Sequence, residues 1–251
     1  GMKVSCRYVW GAFAEYIVCT PFNVKVVPAD FPDEEISSLE VLPGILHAAE
    51  LSNISANTSV LITGQGVSGL VMTQVISLFS PKKLVVTDLH DQNLALAQKY
   101  GATHTYKIPS PDTATISVLD EDHPEGFDVV IPCLLEGDGM MDALEVCAFG
   151  GKIVMYGCIG TCKGGFDFFK MHKKRVDILS TEPKRDIDMR RFWEEGLQLV
   201  KDGLVNTVEM VTHKFSLSEV AEAFQLRNNS DKGESIHVLI DCNNSGHQEA
   251  I

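Results

Sequence analysis

The sequence predicts an α/β fold with a doubly wound parallel sheet in its middle, on three observations. Short β-branched apolar runs alternate with amphipathic stretches of helical length. A glycine-rich turn joins one of those runs directly to a helix, and the run that follows ends on an aspartate. This β-α-β-α rhythm calls for a parallel sheet covered by helices on both faces.

Taken in order, residues 59–63 read as a buried strand and 67–79 as a helix. Residues 83–88 form the next strand, and 91–100 a helix stopped by Gly101. A shorter strand covers 103–107. After a loop rich in Pro, Asp and Thr come a strand at 127–131, a helix at 139–147 and a strand at 152–156 behind the Gly150-Gly151 turn, then a sixth strand at 175–181. The flanks lack this rhythm. Residues 13–18 and 24–27 read as two strands with no helix between them, so they are expected to pair antiparallel. Near the other end, a helix at 188–202, a strand at 208–213, a helix at 218–227 and a strand at 236–241 precede a polar tail. The expected division is 1–43, 44–183 and 184–251, with the doubly wound domain in the middle and the outer pieces forming a second unit.

Composition narrows the function. Apolar residues make up 45% and charged residues 22%, the balance of a globular chain. With 34 acidic and 21 basic residues the net charge is −13, which disfavours nucleic acid or an anionic membrane as partner. No apolar run approaches the roughly 20 residues of a spanning helix. The start has no apolar core of a signal peptide, and Gly1 before Met2 reads as a tag scar. The seven cysteines (Cys6, Cys19, Cys133, Cys147, Cys158, Cys162 and Cys242) are odd in number and mostly sit in apolar runs. They read as reduced thiols used as small core residues in a cytoplasmic protein. None has Cys-x-x-Cys spacing; Cys158 and Cys162, four apart in a glycine-flanked loop, do not make a metal site alone.

The chemistry concentrates at Gly64-Gln65-Gly66-Val67-Ser68-Gly69. Gly-x-Gly-x-x-Gly carries meaning where a strand precedes it and a helix follows, and both conditions hold. Gly64 permits the tight turn, Gly66 lets backbone approach a pyrophosphate, and Gly69 lets helix and strand pack closely. The helix N-terminus adds free N–H groups and partial positive charge. Asp88 follows about 20 residues on, where a carboxylate can accept hydrogen bonds from ribose hydroxyls and repel a 2′-phosphate. Alternatively, Asp88 is an N-cap for the helix at 91–100. Together the strand, glycines, helix and aspartate point to NAD(H) in a Rossmann domain, with S-adenosylmethionine as the alternative ligand.

These residues resemble the medium-chain, zinc-dependent alcohol and polyol dehydrogenases, the family that includes sorbitol and threonine dehydrogenases. Gly11-Ala12-Phe13-Ala14-Glu15-Tyr16 is similar to the strand closing that family's GroES-like catalytic domain. The segment from Glu40 to Glu50 is similar to the helix leading into its cofactor domain. The helix ending in Gly101-Ala102, the run Phe149-Gly150-Gly151-Lys152-Ile153-Val154 and Ala221-Glu222-Ala223-Phe224 fit as well. The resemblance implies cofactor contacts at Gly64, Gly66, Val67, Ser68, Gly69 and Asp88, with Cys133 and the Gly157-Cys158 turn beside the nicotinamide. Asn93 stands where many relatives carry Lys or Arg, which implies weaker hold on the adenosine end.

The same resemblance implies a zinc site that this sequence does not spell out. The family's ligands include a Cys and a Gly-His-Glu element in the opening part of the catalytic domain, and the chain is expected to begin after them. None of its eight histidines precedes a Glu. Glu40 aligns with an acidic third ligand of some bacterial relatives; its other reading is a helix-surface charge or local ion pair. One carboxylate is not a zinc site. His47 reads as a packed helix residue. Two functions follow: an NAD-dependent oxidoreductase transferring hydride to or from a secondary alcohol or polyol, or a non-catalytic NAD(H)-binding module without zinc. A zinc-free reductase of the same superfamily is disfavoured by Asp88. The resemblance also implies a homodimer or tetramer, with an interface near the loop 161–169 through Phe166, Phe168 and Phe169, which could equally pack internally.

Overall fold

The computed structural model describes residues 1–119, 121–134, 138–157, 162, 164–182, 186–228 and 233–243. They fall into two compact units, Gly44–Lys184 and the combination of Gly1–Pro43 with Arg185–Ile251.

The chain opens with β1 (Val4–Cys6), which pairs antiparallel with β2 (Val24–Val26), Val4 opposite Val26 and Cys6 opposite Val24. This corrects the expected pairing of 13–18 with 24–27: residues 13–18 form no strand, and Tyr16 and Val18 are 90% and 100% exposed. A strand is a pairing of two backbones, so an alternating pattern gives faces but does not supply the partner. Helix α1 (Asp33–Leu39) carries Asp33, Glu34 and Glu35 in its first turn, where the helix dipole favours negative charge. Helix α2 (Leu42–Ser52) follows and stops at Asn53, whose φ of +52° is the left-handed conformation that ends many helices.

The middle unit contains β3 (Ser59–Thr63), α3 (Val67–Ser77), β4 (Lys83–Asp88), α4 (Asp91–Lys99), β5 (His104–Lys107), α5 (Ile116–Leu119), β6 (Phe127–Pro132), α6 (Gly139–Val146), β7 (Cys147–Met155), α7 (Phe168–Lys174) and β8 (Asp177–Ser180). Its six strands lie in the order β5-β4-β3-β6-β7-β8, and every pairing is parallel. The sheet is therefore the predicted doubly wound one. The winding reverses between β3 and β6, and the carboxyl ends of strands at such a reversal leave a crevice for a ligand. The three middle residues of β3 and the Val129-Val130-Ile131 run of β6 are at most 2% exposed. On α3, every residue from Gly69 to Ile76 is buried, so this helix sits inside the unit rather than on it.

Strand β7 starts five residues earlier than the sequence suggests. The Gly150-Gly151 turn is a bulge inside it, with Phe127 opposite Cys147 but Val129 opposite Lys152. The bulge folds so tightly that a Cβ on Gly151 would stand 2.8 Å from the Cys147 sulfur.

The second unit resumes with α8 (Asp186–Lys201), which buries Met189, Phe192, Trp193 and Val200 along one stripe. Gly203, at φ +69°, follows its end. A 3₁₀ turn then leads into β9 (Val211–Ser216), three residues later than expected. A second 3₁₀ turn, α9 (Val220–Asn228) and β10 (His237–Asp241) complete the unit. β9 and β10 pair parallel.

Candidate cofactor site

The glycine turn continues the sheet before it leaves it. Gly64 N–H donates to the Thr87 carbonyl at 2.8 Å, and Cys133 N–H donates to the Thr63 carbonyl at 2.9 Å, so β3 is held on both sides up to its last residue. Gly64 then turns at φ +83°, a region costly for residues with a Cβ. The other two glycines differ from each other. A Cβ on Gly69 would lie 1.9 Å from the Gly64 carbonyl oxygen, so the fold itself demands glycine there. A Cβ on Gly66 would meet nothing within 4 Å: the chain leaves open space in front of the residue that caps α3. The first intrahelical bond runs from Leu70 N–H to the Gly66 carbonyl, leaving the amides of Val67, Ser68 and Gly69 without intrahelical acceptors.

Asp88 closes the site from the end of β4. Its Oδ2 accepts from Gln65 N–H at 2.6 Å, and its Oδ1 accepts from His90 N–H at 2.9 Å and from Asn93 Nδ2 at 3.1 Å. The N-cap of α4 is His90. Asp88 thus ties the glycine turn to the β4–α4 loop. A carboxylate offers about four lone-pair sites, so three bonds leave room for one more donor. Asn93, 5% exposed, carries a buried Oδ1 with no hydrogen-bond partner beside that carboxylate.

Beyond the switch point, Gly157 N–H donates to the Pro132 carbonyl at 3.0 Å, and a Cβ on Gly157 would strike the Leu134 carbonyl at 2.1 Å. Burial pushes the Cys133 thiol up to about 12, so it stays protonated and is no nucleophile at neutral pH. Cys158 lies outside the described residues. Gly64, Gly66, Val67, Ser68, Gly69, Asp88, Cys133 and Gly157 therefore all stand at the carboxyl ends of β3, β4, β6 and β7, within one unit.

Three residues beside these strand ends make contacts that the sequence did not predict. Gln65 is fully buried; its Oε1 accepts from the Thr73 hydroxyl at 2.8 Å and its Nε2 donates to the Gly64 carbonyl at 3.2 Å. Asn93 orients Asp88. The Tyr156 hydroxyl, just past β7, reaches the Ser68 hydroxyl at 3.5 Å. The only hint in the sequence was a polar residue at the centre of the turn for Gln65; nothing local indicates the other two contacts.

These residues suit a dinucleotide: an open face before free helix amides, a carboxylate with capacity to spare, and an orphaned acceptor next to it. The residues read as metal-related do not combine. Arg7 Nε donates to Glu40 Oε1 at 3.1 Å, the local ion pair of Glu40's second reading. His47 Nδ1 donates to the Thr181 carbonyl at 2.7 Å. Among the described residues no three His, Cys, Asp or Glu side chains converge as metal ligands, so those residues alone do not fit zinc. Of the aromatic loop residues, Phe166 packs against the core of the middle unit, whereas Phe168 and Phe169 are about 70% exposed.

The fold is that of a Rossmann-type α/β domain carrying additional elements. Residues 69–202 match the sequence model of the family described as zinc-binding dehydrogenase. The chain belongs to this family. It is similar to the L-threonine 3-dehydrogenase of Chromobacterium violaceum, at 29% identity over 227 residues, which cover 90% of this chain and 64% of that protein. The chain thus spans less than two thirds of that relative's length. In fold it is similar to zinc dependent alcohol dehydrogenase 2 from Streptococcus pneumonia, with a TM-score of 0.73 at 22% identity, over 87% of this chain and 62% of the other. An Escherichia coli alcohol dehydrogenase complexed with NADH superposes with a TM-score of 0.72 at 19% identity, over 88% and 63%. No helix among the described residues is long and apolar enough to cross a membrane.

Proposed function

We propose that the middle unit binds NAD(H), and that the chain serves hydride transfer between NAD and a secondary alcohol or polyol. The observation that carries this reading is the open face at Gly66, set before the α3 amides and flanked by Asp88. The amides of Val67, Ser68 and Gly69 receive the pyrophosphate, and Asp88 accepts from a ribose hydroxyl while repelling a 2′-phosphate. Cys133 and Gly157, with Cys158, border the nicotinamide half, where the half-buried, protonated Cys133 thiol supplies bulk rather than proton transfer. NAD, when bound, accepts or donates a hydride at its nicotinamide ring. The secondary alcohol class is supported by the family and by the L-threonine 3-dehydrogenase relative, since the C3 hydroxyl of threonine is a secondary alcohol. Residues 1–43 and 184–251 are proposed as parts of a catalytic domain, and no step is derived through zinc.

Titrating NADH and NADPH by fluorescence tests the reading: NADH should bind at least tenfold tighter, and Asp88→Asn should erase most of that preference. Equal affinities in the unaltered chain would remove Asp88 from the ribose. The alternative is an NAD(H)-binding module without zinc chemistry. Metal analysis separates the two. About one zinc per chain, lost with Glu40→Ala, supports the dehydrogenase; NADH binding with no zinc supports the module. The chain is proposed to be cytoplasmic, and to form a homodimer or tetramer through exposed Phe168 and Phe169. Light scattering of Phe168→Ser with Phe169→Ser checks the assembly, with a shift toward monomer expected.

A further inference from the structure

Cys6 is the last residue of β1 and stands opposite Val24 in β2. Just before β2 the chain makes a tight turn in which Asn23 N–H donates to the Thr20 carbonyl at 3.0 Å. The Asn23 side chain holds this turn at both of its ends. Its Oδ1 accepts from the Thr20 hydroxyl at 2.6 Å and the Thr20 amide at 3.3 Å. Its Nδ2 donates across to the carbonyls of Arg7 at 3.0 Å and Tyr8 at 3.3 Å. One asparagine therefore clamps the turn to the end of β1, with Cys19 the residue before the turn and Cys6 the last residue of the strand. The two thiols act on one another: after burial, Cys19 is what raises the Cys6 thiol above its ordinary value. Both residues are half-buried, and both are free thiols. No spacing rule links positions 6 and 19; the turn that Asn23 ties to the end of β1 relates them.

We propose that Cys6 and Cys19 form an oxidisable dithiol, a site of intramolecular disulfide formation by exchange with a small disulfide such as oxidised glutathione. The Cys19 thiolate attacks one sulfur of the small disulfide, whose S–S bond breaks and releases one glutathione thiolate. Cys6 then gives its proton to solvent, and its thiolate attacks the Cys19 sulfur. The Cys6–Cys19 bond forms and the second glutathione leaves. Two protein thiols are oxidised by two electrons, and one small disulfide is reduced to two thiols. Burial, reinforced by Cys19, pushes the Cys6 thiol up, which suits Cys6 to the second, resolving step. The product closes a covalent loop over residues 7–18, the stretch that carries the exposed Trp10, Phe13 and Tyr16. A segment with no strand ladder of its own becomes tethered to β1.

Peptide chemistry makes the test direct. Trypsin cuts after Lys3, Arg7 and Lys25, so Cys6 and Cys19 fall in separate peptides, 4–7 and 8–25, with one cysteine each. The full chain is equilibrated in glutathione buffers of increasing oxidised fraction, quenched with iodoacetamide, digested and analysed by mass spectrometry. The expected result is a linked 4–7/8–25 peptide that appears as the buffer becomes oxidising and disappears with dithiothreitol. Oxidation should also slow chymotryptic cleavage within 8–22, and Cys6→Ser should abolish that protection and leave Cys19 as a glutathione adduct. Three results overturn the proposal: both peptides recovered with free thiols across the whole range, each carrying its own glutathione, or Cys19 linked to any cysteine other than Cys6.

Discussion

The two units of this chain satisfy their backbones and side chains to different degrees. In Gly44–Lys184 six strands pair in one continuous ladder, and among the described residues the buried side-chain polar atoms without a hydrogen-bond partner reduce to Asn93 Oδ1, which sits at the candidate site. In the other unit the described residues form two separate two-stranded ladders. There, Ser38 Oγ, Trp193 Nε1, Thr207 Oγ1, His213 Nδ1, Ser235 Oγ and His237 Nδ1 are buried without a partner. Large apolar side chains face water in both units, Trp10 at 96% and Tyr16 at 90% in this one and Phe168 and Phe169 at about 70% in the middle one. Each orphaned buried group costs about 1–3 kcal/mol. Among the described residues, the middle unit thus leaves one buried polar atom unpaired, at the candidate site, while the other leaves several.

The largest break of that contrast comes from the glycine turn. Gly69→Ala forces a Cβ to 1.9 Å from a backbone oxygen, so it should destabilise the middle unit by roughly 3 kcal/mol or more and lower the urea midpoint accordingly. Gly66→Ala meets no atom, so it should leave the midpoint within about 0.5–1 kcal/mol while weakening NADH binding at least tenfold, about 1.4 kcal/mol. If both variants lose stability alike, the open face at Gly66 is not reserved for a ligand.

In the second unit the sign of the effect is the point. Thr207 is 1% exposed and its hydroxyl has no partner, so Thr207→Val should be neutral or stabilising by about 1 kcal/mol in urea denaturation. A loss of stability would mean that the hydroxyl is satisfied in solution, and that the unit is less open-handed than it looks. Hydrogen exchange extends the comparison: amides of β9 and β10 should exchange well before those of β3 and β6.

The smallest effect is a pH dependence. Burial lowers the His237 pKa below its ordinary 6.5. The unfolded chain then binds the proton more readily, so this histidine's contribution is fully present above pH 6.5 and is lost as pH falls from there toward the folded value. Stability between pH 7.5 and 5.5 should drop less in His237→Phe than in the unaltered chain; equal slopes would place the titration elsewhere, for instance at His123, which burial also lowers.

What the sequence determined by itself was whatever depends on neighbours along the chain. Apolar runs, the Gly101 and Gly203 helix stops and the strand–turn–helix around Gly64 are local, and so is the aspartate ending β4. They sufficed for the doubly wound sheet and for gathering the glycines with Asp88, since parallel crossovers bring successive strand ends to one edge. The tertiary structure decided what depends on partners far apart. Strand β2 chose Val4–Cys6 over 13–18 because pairing needs a second backbone in register, which no alternation can name. Asp88 proved to be already engaged by Gln65 and Asn93, Tyr156 came to lie by Ser68, and Cys19 met Cys6, each through a fold-borne neighbour. Glu40 met Arg7 for the same reason: a charge's role is fixed by what the chain places beside it, and pattern carries no record of that distance.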